Sequence, residues 1–315
     1  MKNRFVPILS AMLVAAASSS AWAALFTQNF DVDDTANWTV NNGPSDEAHD
    51  IFFDYSTVGI PSAPNSAGTT RGMKLQANLT DGIFSGMSVS PNGQSFSGDY
   101  VVEFDAWANF NGPFPGGGSG STNLATFGIG TTGTTAQWAG GVQDSVWFAA
   151  TGDGGSSADW RAYSTAASTS YAEGDPIYAA ASRNAPDPYY AGFGNLASPA
   201  AQLGLFPQQT GNTQVGTFGM AWHEVSIKKL GTTATWSVDG TLIATIDLTT
   251  VTLGGDNIFF GHSDINATSS SDANDAALLF TLIDNVNVDA IPEPASFALL
   301  GLSLFGLVAA GRKRS

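Results

Sequence analysis

An all-β fold, two antiparallel sheets packed as a jelly-roll sandwich, is what this 315-residue sequence predicts. Three observations carry the prediction. Apolar and polar residues alternate at period two in one stretch after another. Helical periodicity is nearly absent between residues 24 and 290, and Gly, Asn and Asp turns separate the alternating stretches. In chain order, strands are expected at Met73 to Leu79, Ser85 to Ser90, Tyr100 to Phe110, Leu124 to Ile129 and Ser145 to Ala150, then at Trp222 to Lys229, Thr233 to Val238, Leu242 to Leu248, Asn257 to Gly261 and Ala277 to Val288. Tyr100 to Phe110 is the clearest: Val102, Phe104, Ala106, Ala108 and Phe110 share one face, and Glu103, Asp105, Trp107 and Asn109 the other. Asp239-Gly240 between two strands is a two-residue hairpin signal. Residues 165–215, rich in Ala, Pro and Tyr, form a long insertion in which a short helix or an ordered lid is expected. No fixed-period repeat is present, which argues against a propeller or solenoid.

Both ends carry segments that do not belong to the fold. Lys2 and Arg4, an apolar stretch from Phe5 to Ala17 and the small-x-small triplet Ala21-Trp22-Ala23 read as a signal peptide over residues 1–23, the mark of Sec-type export. Residues 291–315 hold Pro292-Glu293-Pro294, an uncharged apolar run from Ala295 to Ala310, and the basic cluster Arg312-Lys313-Arg314. The run is slightly shorter than the ~20 residues of a spanning helix, and its trailing cations would stay on the cytoplasmic side. An ordinary membrane anchor is the alternative. This order of motif, single hydrophobic helix and basic end resembles the PEP-CTERM sorting signal. The resemblance implies a Gram-negative exporter of polysaccharide, transient inner-membrane anchoring, processing by an exosortase, and a body released to the cell surface or extracellular matrix.

The body between the signals, residues 24–290, has 26 acidic residues against six basic ones, and 22 of the acids are Asp. For a body of this net charge, nucleic acid and anionic lipid are poor partners, because each would be repelled. The Asp bias suits turns and Ca²⁺ coordination. With no cysteine there is no disulfide framework, thiolate metal site or cysteine nucleophile. His49, His223 and His262 match no zinc spacing. Gly128-Ile129-Gly130-Thr131-Thr132-Gly133 has dinucleotide-loop spacing but no helix pattern after it, so it reads as a turn.

The many strands, with Trp222-His223-Glu224-Val225-Ser226-Ile227 followed by Ala234-Thr235-Trp236-Ser237-Val238-Asp239-Gly240-Thr241-Leu242-Ile243, resemble a concanavalin A-like jelly roll of the laminin-G or lectin/glucanase kind. A galactose-binding-type sandwich is the rival. Either resemblance implies carbohydrate as a partner.

Glu103, Asp105 and Trp107 are the candidate glycan-binding residues, because alternation puts two carboxylates and an indole on one face. The same face also admits the plain reading of a solvated outer surface. It is similar to the Glu-x-Asp-x-Glu strand of jelly-roll glucanases, which implies a nucleophile and a general acid at its ends. Trp107 occupies the acid's position and cannot donate that proton, so catalysis would need another carboxylate, and Glu224 is the nominee. Asp284 is in phase with Leu282, Val286 and Val288. A core-facing carboxylate needs a partner, either backbone amides or a Ca²⁺ ion shared with Asp31, Asp33 or Asp34. Trp147, Trp222 and Trp236 are expected in the core. Trp160, Tyr163, Tyr171, Tyr178, Tyr189 and Tyr190, at or within the insertion, either pack it down or form a sugar platform. The function expected is non-catalytic glycan binding, with an exopolysaccharide hydrolase or lyase and a purely structural matrix protein as alternatives.

Overall fold

A computed structural model describes residues 23–292 except 119, 142 and 268–272. Residues 1–22 of the signal peptide, the Glu293-Pro294 part of the sorting motif, the apolar run and Arg312, Lys313 and Arg314 lie outside these residues.

Fourteen strands among the described residues form two antiparallel sheets with almost no helix. The larger sheet runs β12 (Thr241–Asp247), β11 (Thr233–Val238), β10 (His223–Leu230), β6 (Tyr100–Asn109), β14 (Phe280–Ala290), β4 (Arg71–Gln76), β3 (Ala48–Asp54), with β1 (Ala23–Gln28) also on β14. The smaller runs β2 (Trp38–Asn42), β5 (Gly86–Pro91), β13 (Asn257–Asp264), β7 (Asn123–Thr131), β8 (Val146–Thr151), β9 (Trp160–Tyr163). Their inner faces meet in one core: Val102, Phe104, Ala106 and Ala108 of β6 face Phe127, Phe148 and Phe260 of the second sheet. Burial of these alternating residues is what joins the sheets. The predicted hairpin forms at Asp239-Gly240, where both residues take the positive φ (48° and 74°) of a type I′ turn.

Four strands escaped the sequence reading: β1, β2, β3 and β9. The stretch expected as strand from Ala277 instead begins with a short helix, α2 (Ala273–Leu278), and β14 starts at Phe280. Within β14 the register shifts between Asp284 and Asn287, and Asn285 takes φ 52°. This bulge exchanges the faces. Ile283, Val286 and Val288 face the main core, whereas Leu282 packs with Trp107 on the outer side. Asp284 therefore shares the outer face of its sheet with Asp105, its register partner on β6, and not the core face with Val286.

The insertion is ordered. Ala179 N donates to Ile243 O (2.9 Å) and Thr245 N to Ile177 O (2.8 Å), adding a rung to the β12 edge. Tyr171 N donates to Ala162 O (2.9 Å) and Trp160 N to Arg183 O (3.0 Å), doing the same at β9. The strap thus joins the free edges of both sheets. Trp160, Tyr163, Tyr178 and Tyr190 are buried, and Trp160 stacks on Tyr190 at 5.0 Å. Packing, and not a sugar platform, accounts for these four; Tyr189 is 41% exposed. The short helix expected in the insertion is α1 (Ala200–Leu205), whose Gln202 Nε2 donates to Asn109 Oδ1 (3.0 Å).

Candidate functional site

The outer face of β6 is where the nominated residues meet. Trp107 is 2% exposed, packed in a second apolar cluster with Tyr55, Ile60, Phe110, Met220, Phe280 and Leu282. Trp222 lies edge-on to it at 5.8 Å, and Trp107 Nε1 donates to Asn109 Oδ1 (3.0 Å). Trp107 therefore offers no face to a sugar, which corrects its assignment as a stacking residue. The cover comes from the segment after β3, anchored by the Tyr55 ring, and from the chain leading into β10. Neither segment has a periodicity that would have announced it.

Asp105 is also fully buried, but by polar contacts. Its Oδ2 accepts from Asn65 N (3.1 Å) and Asn285 Nδ2 (2.8 Å), and its Oδ1 from Asn65 Nδ2 (3.0 Å). Asp284 Oδ2 accepts from the Tyr55 hydroxyl (3.0 Å) and Oδ1 from Asn285 N (2.7 Å). Burial pushes the Asp284 carboxyl up to about 7, and the Asp105 and Asp31 charges add to the rise. The Tyr55 phenol is raised by burial too. Asp105 thus acts as a brace that fixes Asn65 and Asn285.

Those two amides line a pocket of about 230 Å³ with Glu103, Phe104, Glu224 and Asn287. Glu103 reaches it from β6, Glu224 from β10, and Asn287 from β14 just past the bulge. Glu103 is register partner of Ser226, so Glu224 is its diagonal neighbour, roughly 7–8 Å away along the backbone. Partial burial, then the charges of Glu224 and Asp289, hold the Glu103 carboxyl above the usual carboxylate range, against the opposing pull of Lys228. Glu224 is exposed, and its backbone is fixed by the hairpin: Glu224 N donates to Asp239 Oδ1 (2.9 Å), while Asp239 Oδ2 meets His223 Nδ1 at 2.7 Å. Asn285 and Asn287 also border a neighbouring pocket of about 440 Å³ with Thr27, Gln28, Asn29, Val32, Asp34 and Val286. A groove thus crosses the outer face from β10 to β1. Of the three residues nominated on β6, Glu103 lines it, Asp105 supports it and Trp107 lies beneath its cover. Glu224 joins the site as the sequence suggested; Asn65, Asn285 and Asn287 lacked any pattern to mark them.

The expected Ca²⁺ site does not fit. Each nominated carboxylate already accepts from neighbours: Asp31 from Asn29, Asp33 from Thr35, Asp34 from Gln28 and Asn37, and Asp284 from Tyr55 and Asn285. Among the described residues no three acidic or histidine side chains converge to hold a metal. Nor is any described helix long and apolar enough to cross a membrane.

No curated protein matches the chain. Solved structures similar to it include a Bacillus subtilis protein with a galectin-like fold (12% identity, covering 85% of this chain and 96% of the other, TM-score 0.39). The endo-β-1,3-glucanase of Pyrococcus furiosus is similar at 14% identity, 87% and 96% coverage and TM-score 0.41. The exoplasmic/lumenal domain of VIP36 in its Ca²⁺/Man2-bound form is similar at 9% identity, 86% and 88% coverage and TM-score 0.42. The two sheets described above establish the sandwich independently of these likenesses. Residues 290–314 match the PEP-CTERM protein-sorting motif, and that tail implies an exported protein sorted to the cell surface.

Proposed function

We propose that the chain is a cell-surface or extracellular-matrix protein that binds a saccharide, without cleaving it, in the groove on the outer face of the larger sheet. The observation that carries this reading is the convergence of two carboxylates and three carboxamides, Glu103, Glu224, Asn65, Asn285 and Asn287, in one pocket. Such groups match sugar hydroxyls, which donate to carboxylates and both donate to and accept from amides. The two acids disfavour anionic ligands, so neutral glycans are the class that fits. Residues 24–290 are the binding body, with the insertion at 165–215 as part of it. Sec-type export, brief anchoring in a Gram-negative inner membrane and exosortase processing at Pro292-Glu293-Pro294 would deliver it. Asp284 and Asp31 keep no role as metal ligands in this reading.

One observation favours a glycoside hydrolase as second reading. Glu103 has a raised pKa and lines the same pocket as Glu224, and a pair of carboxylates flanking one site is what glycoside hydrolysis requires. The test is to incubate the purified protein with a panel of neutral and acidic polysaccharides and to measure both retention and new reducing ends. Saturable retention, weakened by Glu103→Gln and unaccompanied by reducing ends, supports the binding reading. Reducing ends abolished by Glu103→Gln or Glu224→Gln would replace it with the hydrolase, and neither signal would leave a structural matrix protein.

A further inference from the structure

The end of the sandwich where β1 begins and β14 finishes carries exposed leucines that do not line the groove. Ala23 and Ala290 are register partners there, and Ile291 N donates to Asp99 O (2.9 Å), so the chain is held in the fold up to Ile291. Three residues, Pro292, Glu293 and Pro294, separate Ile291 from the apolar run that begins at Ala295. Fully extended, that stretch reaches at most about 14 Å, and the headgroup layer takes about 5–7 Å of it. The fold has almost no slack with which to stand away from a bilayer.

The side chains at this end suit that closeness. Leu230 is 48% exposed and Leu25 44% exposed. Leu230 closes β10 and Leu25 occupies the β1 bulge between Ala24 and Phe26, three strand spacings apart, about 14 Å. Lys228 and Lys229, two of the six basic residues of the body, precede Leu230 on β10, and Lys229 Nζ sits over the Tyr100 ring (5.6 Å) and donates to Gly98 O (2.6 Å). Three carboxylates share this end: Asp99, whose Oδ1 accepts from Gly231 N (2.7 Å), Asp289, whose Oδ2 accepts from Asn287 Nδ2 (2.7 Å), and the exposed Asp247, register partner of Thr233. Exposed leucines with lysines beside one of them form an interfacial pattern, with aliphatic groups at the acyl boundary and ammonium groups among phosphates. We propose that this end is a membrane-contact surface, and that while the C-terminal segment remains attached the sandwich rests on the bilayer through Leu25, Leu230, Lys228 and Lys229. The proposal rests on the export reading above. It implies that cleavage at the motif occurs flush with the folded body and not in an open linker.

The absence of cysteine makes single-site labelling direct. The full chain carrying Leu25→Cys, Leu230→Cys or Leu205→Cys is labelled with nitrobenzoxadiazole, reconstituted into phosphatidylethanolamine/phosphatidylglycerol vesicles and floated on a density gradient. Leu205, 54% exposed, lies on α1 against the opposite end of β6 and is the reference. The expected result is co-flotation with blue-shifted emission and loss of iodide quenching at 25 and 230 but not at 205. Co-flotation with equal quenching at all three positions overturns the contact surface and leaves the export reading standing. Failure to float overturns the contact surface together with the anchoring step on which it rests.

Discussion

Asp105 and Asp284 face each other as register partners on β6 and β14, and one residue, Asn285, serves both: its side-chain amide donates to Asp105 Oδ2 (2.8 Å) and its backbone N–H to Asp284 Oδ1 (2.7 Å). Two buried carboxylates side by side are tolerable because each is met by donors and one of them is readily protonated. The pocket above depends on this arrangement, since Asn285 and Asn65, both tied to Asp105, form part of its wall.

The Asp284 carboxyl, pushed up to about 7, binds its proton more tightly in the folded than in the unfolded chain, where the ordinary value is 3.8. Its stabilising contribution is therefore complete below about pH 4 and lost as pH rises through 7. Asp284→Asn keeps the shape without the charge, and the Tyr55 hydroxyl can accept from the new amide while donating to Thr69 O. Urea unfolding at pH 5 and pH 8 should show the variant gaining about 2–4 kcal/mol on the wild type between the two. An unchanged difference would refute the assignment.

His262 should show the opposite slope. Complete burial lowers its pKa from 6.5 to about 3, so the folded protein refuses a proton that the unfolded chain accepts. Stability from this site is full above pH 6.5 and falls as pH drops toward 3. His262→Gln can retain the bond to Thr281 Oγ1, now 2.8 Å from Nδ1. Relative to wild type, the variant should be more stable at pH 5 than at pH 7 in the same urea assay.

Glu103→Gln and Trp107→Ala should separate binding from folding. Loss of the Glu103 charge should weaken glycan retention about tenfold, ~1.4 kcal/mol, with an unchanged melting curve. Trp107 touches the core of the cover and not the groove, so Trp107→Ala should cost about 3–5 kcal/mol of stability. Affinity electrophoresis beside calorimetry distinguishes the two.

Gly216 takes φ 88°, and a Cβ there would lie 1.8 Å from Ala185 O. Gly216→Ala should loosen the strap, because Trp160 Nε1 donates to Gly216 O (3.1 Å). A loss of about 2–4 kcal/mol is expected, together with faster proteolysis within residues 165–215.

Much of this architecture was legible where one face of a strand is apolar. Val102, Phe104, Ala106 and Ala108 announced β6, and Asp239-Gly240 announced the hairpin of β11 and β12, because local chemistry alone decides them. Asp284 was placed on the wrong face because a single αL residue, Asn285, reverses parity, and alternation carries no sign of an inserted residue. Trp107 looked accessible because what covers it arrives from residues 55–66 and 198–222, distant in sequence and without period. Glu103 and Glu224 could be nominated as residue types, but only the antiparallel pairing of β6 with β10 puts them diagonal to one another.

The strap has a consequence for life outside the cytoplasm. An unpaired strand edge is a template for any other chain in extended conformation, and a secreted protein meets dense company without ATP-driven chaperones to undo a mistake. By bonding its own residues 171–183 to β9 and β12, the chain guards one edge of each sheet with a segment that cannot diffuse away. Protection of those two edges is thereby built into the covalent connectivity, with no disulfide to supply it.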